Sequence, residues 1–266
     1  MQELTSLQFQ KVRPLVQGGH PHPEILSVIE GRNPGWIFAD NADQPGSALV
    51  WNRGMEGFYL IGDSRNADFT EGMDGFAAHT LEPRMRRHGL TDFEISGHHD
   101  EWDLESMFAS RNLYDFEQLV FEAERNASVP EAKGCIALPL HQDSEENRWL
   151  FHTPLVKEHI AAFWTSAEAF KNNGFGYVAV SGVEVVGLCY TSCRANNRFA
   201  IGVETAPQSR GKGIGAYLAS LVAGEVLEHG FIPYWDCTSD NTASKKLAQR
   251  LGFQLVHRYQ CIGFQI

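Results

Sequence analysis

An α/β (α+β) fold in two consecutive halves is what the 266-residue sequence predicts. Three observations carry the prediction. Short apolar runs alternate with amphipathic helical stretches. The order strand-strand-strand-helix-strand-helix-strand can be read twice along the chain. In the second reading a glycine-rich turn, Arg210-Gly211-Lys212-Gly213-Ile214-Gly215, separates an apolar strand from a helix. The length suits one large domain or two small ones. The expected division is 1–140 and 141–266, with a linker within 130–148, where Gly, Pro and acidic residues cluster.

In the first half, strands are predicted over 36–39, 47–51 and 57–61, from their aromatic and β-branched content. A helix follows at 75–88, a strand at 92–96, a short helix at 101–110 and a strand at 116–123. In the second half a helix is predicted over 154–172, with Phe163, Trp164 and Phe170 as apolar anchors. A hairpin comes next, 176–180 and 184–192 about a Ser181-Gly182 turn. The strand 199–205 leads into the glycine-rich turn, and a helix over 216–229 aligns Leu218, Leu221, Val222, Val226 and Leu227 on one stripe. A strand over 232–237, a helix opened by Asn241 and a final strand over 254–264 complete the chain.

A glycine-rich turn that opens a helix is an anion site, because free amides and the positive end of the helix dipole point at one spot. Gly213 and Gly215 allow close approach of backbone to a ligand, and Arg210 and Lys212 add positive charge. The ligand this calls for is a phosphate or pyrophosphate. No Gly-Lys-Ser/Thr occurs at the spacing of a Walker loop. Gly211, Gly213 and Ala216 satisfy a dinucleotide pattern, with Asp236 about twenty residues on. Against that reading, Ala206-Pro207-Gln208-Ser209-Arg210 intervenes between strand and first glycine, and too little chain remains after Asp236 for a doubly wound sheet.

The pattern Arg210-x-x-Gly213-x-Gly215 after Pro207 resembles the acyl-CoA pyrophosphate loop of the GNAT N-acetyltransferases. A second stretch, Asn241-Thr242-Ala243-Ser244-Lys245-Lys246-Leu247-Ala248-Gln249-Arg250-Leu251-Gly252-Phe253, looks like that family's N-x-x-[AS]-x-x-L-x-x-x-L-G-F helix. At motif level the resemblance covers about 150–266, and the wording around the loop is similar to the zwittermicin-resistance-like branch. It implies a C-terminal GNAT acyl-CoA fold with a mixed central sheet. The N-terminal α/β half, with the same element order, reads as a degenerate copy or as an unrelated α+β domain. Its corresponding turn, Gly62-Asp63-Ser64-Arg65-Asn66, lacks the R-x-x-G-x-G pattern and carries an acidic residue.

By the same resemblance, the amides of Gly211, Lys212, Gly213, Ile214, Gly215 and Ala216 take the pyrophosphate of acetyl-CoA. Backbone of Val203, Glu204 and Thr205 pairs with its pantetheine, with an amide near Val203 as oxyanion donor. Asn241 bonds the cofactor arm, and Ser244 belongs to the same motif. Acyl transfer to an amine also needs a base, since only the free amine attacks. Asp236 and Glu204 are the two candidates. Asp236 could instead cap the Asn241 helix, and Glu204 could simply face solvent. The tyrosine that many members use as general acid is replaced by Ala248. Cys237, Ser244, Tyr234 or water are the substitutes. A non-catalytic acyl-CoA sensor and, further off, a nicotinamide-dependent enzyme stay as alternatives.

The net charge of −11 belongs to the first half: residues 1–130 hold 21 Asp+Glu against 10 Lys+Arg, and 131–266 hold 12 of each. Such a surface disfavours nucleic acid and would draw a cationic acceptor such as a polyamine or aminosugar, though the plainer reading is that it keeps the protein soluble. No apolar run approaches the roughly 18 residues of a membrane span, and no secretory signal opens the chain. Five scattered cysteines argue against a disulfide framework and for the cytoplasm. Cys189 and Cys193 read as buried thiols, and Cys237 lacks a histidine placed by spacing, His257 being nearest in sequence. No metal is expected: His98-His99-Asp100-Glu101 reads as an exposed loop and His20-Pro21-His22-Pro23 as a rigid turn. Trp149, Phe151, Phe163 and Trp164 read as core. The first half would shape the acceptor site or a homodimer contact.

Overall fold

The computed structural model describes residues 1–125, 129, 131–140 and 145–266. Two compact units emerge, one of 1–118 with 258–266, the other of 119–257. Their limits differ from the anticipated cut at 140/141: one boundary falls inside the strand Tyr114–Glu122 and the other inside the strand Gln254–Gln265, whose residues 261–265 pair with 92–96 of the first half. The predicted linker lies partly outside the described residues.

The first half opens with β1 (Gln2–Glu3), a 3-10 segment (Ser6–Val16) and α1 (Pro23–Ile29). It continues through β2 (Gly35–Ala39), β3 (Ser47–Asn52), β4 (Gly57–Gly62), α2 (Ala67–Glu71) and α3 (Met73–Phe76). A widened turn (Ala77–Leu81) joins α3 to α4 (Glu82–Arg87). Then come β5 (Asp92–Gly97), α5 (Leu104–Met107) and β6 (Tyr114–Glu122). The second half comprises β7 (Ile136–Pro139), a 3-10 segment (Glu145–His152), α6 (Pro154–Phe163), α7 (Ala167–Asn173), β8 (Gly176–Ser181) and β9 (Glu184–Ala195). It ends with β10 (Arg198–Thr205), α8 (Ile214–Glu228), β11 (Ile232–Thr238), α9 (Thr242–Arg250) and β12 (Gln254–Gln265).

The sheet of the first unit runs β1-β2-β3-β4-β5-β12. β2, β3 and β4 pair antiparallel, β4 and β5 run parallel with Phe58 opposite Ile95, and β12 returns antiparallel with Phe264 opposite Phe93. Both faces are covered. Phe38, Leu49, Phe58, Leu60, Phe93 and Phe264 pack beneath Met73, Leu81 and Met85. The alternate residues Ile37, Val50 and Ile61 meet Val12, Ile25 and Val28. Burial on both faces explains why these strands read as continuous apolar runs.

In the second unit the order is β6-β11-β10-β9-β8-β7. β7 to β10 are antiparallel and β10 and β11 parallel. One face carries α8, whose Leu218, Val222 and Val226 bury against Phe199, Ile201 and Trp235. The opposite face carries α6 and α7, where Ile160, Trp164 and Phe170 meet Val178, Leu188 and Tyr190. Each unit therefore holds an antiparallel run followed by one helical crossover to a parallel strand. That is the repeated order anticipated from the sequence.

Several boundaries moved for local reasons. The helix predicted over 154–172 breaks because Trp164 turns extended (ψ 147°) and its Nε1 donates to Thr191 O at 2.9 Å. Ser166 then caps α7 through Ala169 N. The predicted 101–110 helix shrinks to four residues behind the Asp103 cap on Ser106 N. The His20-Pro21-His22-Pro23 stretch opens α1, with Pro23 at its first turn and His22 buried. His98 is buried rather than loop-exposed, and Trp149 is exposed rather than core. No helix among the described residues is long and apolar enough to cross a membrane.

Candidate active site

The site of the second unit begins where β10 and β11 part. Their parallel register extends over three pairs, Arg198 with Ile232, Phe199 with Pro233 and Ala200 with Tyr234. A bulge at Ala200/Ile201 re-aims β10 at this point. Residues 201–205 and 235–238 continue past the last pair, so a wedge opens between two strand ends.

Beyond Thr205 the chain turns through Pro207–Ser209 and reaches Gly211 (φ 75°) and Gly213 (φ 82°), both left-handed. Gly213 is the N-cap of α8 and no side chain caps that helix. The first intrahelical amide to be used is that of Tyr217, bonded to Gly213 O at 3.0 Å. The amides of Ile214, Gly215 and Ala216 therefore present the uncompensated positive end of a 15-residue helix. A Cβ on Gly211 or Gly213 would meet no atom within 4 Å, so the space over the turn is open. Gly215 has a different task, since its Cβ would sit 3.2 Å from Thr205 Oγ1 and 3.5 Å from Val203 Cγ2. It lets the helix lie close on β10. Arg210 Nε donates to Thr205 O at 3.2 Å, and Lys212 is exposed beside the turn. Free amides, open space and two nearby cations make a donor set of the kind an anion such as a pyrophosphate calls for.

Val203 and Thr205 face α8, whereas Glu204 faces the α6 side. There its Oε1 lies 3.8 Å from Nε2 of His159 on α6. The imidazole is the main cause that holds the Glu204 carboxyl below its ordinary range, with Arg210 contributing. Reciprocally, Glu204 raises the His159 ring above its ordinary value, against the opposing effect of burial. Tyr190 packs edge-on to His159 at 5.9 Å, and burial pushes its phenol up. Neither His159 nor Tyr190 carries a sequence signal, because His159 stands 45 positions from Glu204 and 31 from Tyr190, and Tyr190 is placed by the β9/β10 register.

Asp236 is half-buried on β11, with Oδ1 screened from solvent. Its neighbours Trp235 and Cys237 belong to the α8-side core, so Asp236 points to the other face. It does not cap α9. That cap is Asn241, whose Oδ1 accepts from Ser244 N at 3.0 Å. Ser244 Oγ in turn accepts from Trp235 Nε1 at 2.9 Å, which stitches α9 to β11. Ala248 is fully buried against this core and has no proton to give. Burial pushes the Cys237 thiol up, which disfavours a thiolate nucleophile. Cys189 and Cys193 are buried, and all five cysteines are free thiols.

Comparison with known proteins agrees with this geometry. The GNAT acetyltransferase family model matches residues 13–262. The chain is 24% identical over 264 residues to an uncharacterized N-acetyltransferase, YdfB, of Bacillus subtilis (strain 168), covering 97% of each protein. In fold it is similar to a GCN5-related N-acetyltransferase-like protein from Streptococcus suis 89/1591, with TM-score 0.68, 19% identity, and 98% and 99% of the two chains covered. A tandem GNAT protein from the clavulanic acid biosynthesis pathway superposes with TM-score 0.58 at 12% identity, over 99% of this chain and 97% of that one.

Proposed function

The chain belongs to the GNAT acetyltransferase family and is an acyltransferase, and on that premise we propose that it moves the acetyl group of acetyl-CoA to the primary amine of a small cationic acceptor. A polyamine, an aminosugar or an amino-acid-like amine is the class of acceptor meant. The observation that carries the donor is the uncapped, glycine-opened N-terminus of α8. Acetyl-CoA, when bound, supplies the activated acyl group as a thioester.

The chain's own residues do the rest. Amides from Gly211 through the first turn of α8, with Arg210 and Lys212 nearby, hold the pyrophosphate, each charge-assisted bond contributing about 1.5–3 kcal/mol. Backbone of Val203, Glu204 and Thr205, past the last β11 pair, orients the donor arm along β10, and a nearby amide meets the developing oxyanion. Asp236 and Glu204 are the carboxylates at hand for the ammonium proton. With Ala248 in place of a tyrosine, the proton returned to the leaving thiolate comes from another group or from water. The acidic excess of 1–130 supports a cationic acceptor. Five free thiols support a reducing compartment such as the cytoplasm.

The test is CoA release from acetyl-CoA across a panel of polyamines, aminosugars and amino-acid amines. Turnover with one class identifies the acceptor. Acetyl-CoA binding without turnover on any amine would leave only a binding role. Asp236→Asn and Glu204→Gln, compared for kcat at constant acetyl-CoA affinity, separate the two candidate bases.

A further inference from the structure

The His159–Glu204 pair lies on the sheet face opposite α8, one residue along β10 from Val203. His159 is held by its other nitrogen: Nδ1 stands 2.9 Å from Leu155 O. A carbonyl only accepts, so Nδ1 carries the hydrogen and Nε2 is the nitrogen turned toward Glu204. In the neutral ring, two acceptors then face each other, the Nε2 lone pair and the Glu204 carboxylate. A proton or a donor cation between them relieves that opposition. At 3.8 Å the two are too far apart for a strong direct hydrogen bond. The side chains are 25% and 46% exposed, so a solute can reach both.

We propose that His159 and Glu204 together form the receptor for the acceptor's ammonium group, and that Nε2 of His159 takes the proton that the amine must shed. This rests on the acyl-transfer reading above. The ammonium donates one hydrogen to Glu204 and one to Nε2. The hydrogen on Nε2 transfers, the amine nitrogen keeps its electron pair for attack, and the imidazolium charge is balanced by Glu204. The proton leaves to water from the exposed ring edge. A carboxylate held below its ordinary range is a poor match for an alkylammonium of pKa about 10, whereas an imidazole raised above its ordinary value is a closer one. The charged and titratable groups around the ring are Glu204 from β10, Glu158 from its own helix and Tyr190 from β9, with Arg210 acting on Glu204.

The decisive experiment follows the Cε1 proton of His159 by NMR in the free protein, assigned by its loss in His159→Gln. The wild-type ring should titrate above the ordinary histidine value and fall back toward it in Glu204→Gln. Propylamine and spermidine, added at fixed pH, should shift the His159 signal in the wild type and not in Glu204→Gln. A titration that ignores Glu204→Gln, or a signal unmoved by either amine, overturns the proposal. In turnover, His159→Gln should remove the acidic limb of the kcat/KM profile and lower kcat/KM about 10- to 100-fold while acetyl-CoA affinity holds; a profile identical to wild type overturns the proton-accepting role. Acetyl-CoA calorimetry on the same samples reports the donor reading separately. Its failure would sink that reading and leave the amine titration to decide this one.

Discussion

The two helical crossovers of this chain start alike and end differently. In the first unit β4 runs through Gly62-Asp63-Ser64-Arg65-Asn66 into α2, and in the second β10 runs through the 206–213 turn into α8. The first turn satisfies itself. Asp63 Oδ1 accepts from Arg65 N at 2.9 Å, Asn66 Oδ1 accepts from Phe69 N at 3.3 Å, and Asn66 Nδ2 reaches Asp40 at 2.8 Å. The helix it opens has five residues. In the second turn a left-handed glycine stands where Asn66 stands in the first, no side chain caps the helix, and the helix has 15 residues. The same crossover thus closes on itself when side chains cap its helix and leaves free amides, as the proposed pyrophosphate site needs, when they do not. The glycines show the same contrast. A Cβ on Gly62 would strike Gly46 O at 2.3 Å, whereas one on Gly213 would meet nothing.

Substitutions that should affect one turn and spare the other test this contrast. The largest effect is expected from Gly213→Asp, which places a carboxylate over the open amides. Losing two charge-assisted bonds of about 1.5–3 kcal/mol each corresponds to at least a 100-fold drop in acetyl-CoA affinity. Calorimetry checks it, and unchanged affinity would refute the pyrophosphate assignment. Gly62→Ala should do the reverse. The clash and the left-handed backbone (φ 93°) together cost about 2–3 kcal/mol of stability, read by urea unfolding, with acetyl-CoA affinity intact. Next come the caps. Asn66→Ala and Asn241→Ala should each cost about 1 kcal/mol. Only Asn241→Ala should also weaken acetyl-CoA, and equal effects of the two on affinity would deny Asn241 a ligand role.

The smallest effect concerns pH. The His159 ring is raised, so its contribution to stability is complete below about 6.5 and fades as pH rises through its folded value. Glu204 is lowered, so its contribution is complete above about 4.5 and fades as pH falls through its folded value. The stability gap between wild type and His159→Gln should therefore be widest between pH 4.5 and 6.5. For a pair this exposed it should reach only about 0.2–1 kcal/mol. Thermal unfolding across pH checks it, and a gap that grows above pH 7 would contradict the ion pair.

What the sequence by itself determined is local. Gly213 before an apolar helical stripe predicted a glycine-opened helix start, and the structure has one with a left-handed cap, because such a cap depends on neighbours within one turn. Asn241 opening a helix before Leu247, Leu251 and Phe253 is equally local, and the structure shows Asn241 in that capping place. Apolar periodicity also located the sheet strands on both sides of each crossover. Trp164 escaped because the bond that breaks its helix goes to Thr191, 27 residues away. Only the tertiary structure decided the rest. β12 closed the sheet of the first unit against β5, since hydrogen bonding between strands is set by which edge is available and not by sequence order. Packing buried Ala248 where many relatives carry a tyrosine. The β9/β10 register and the docking of α6 brought His159 to Glu204 across 45 positions of chain, a contact that no spacing rule encodes.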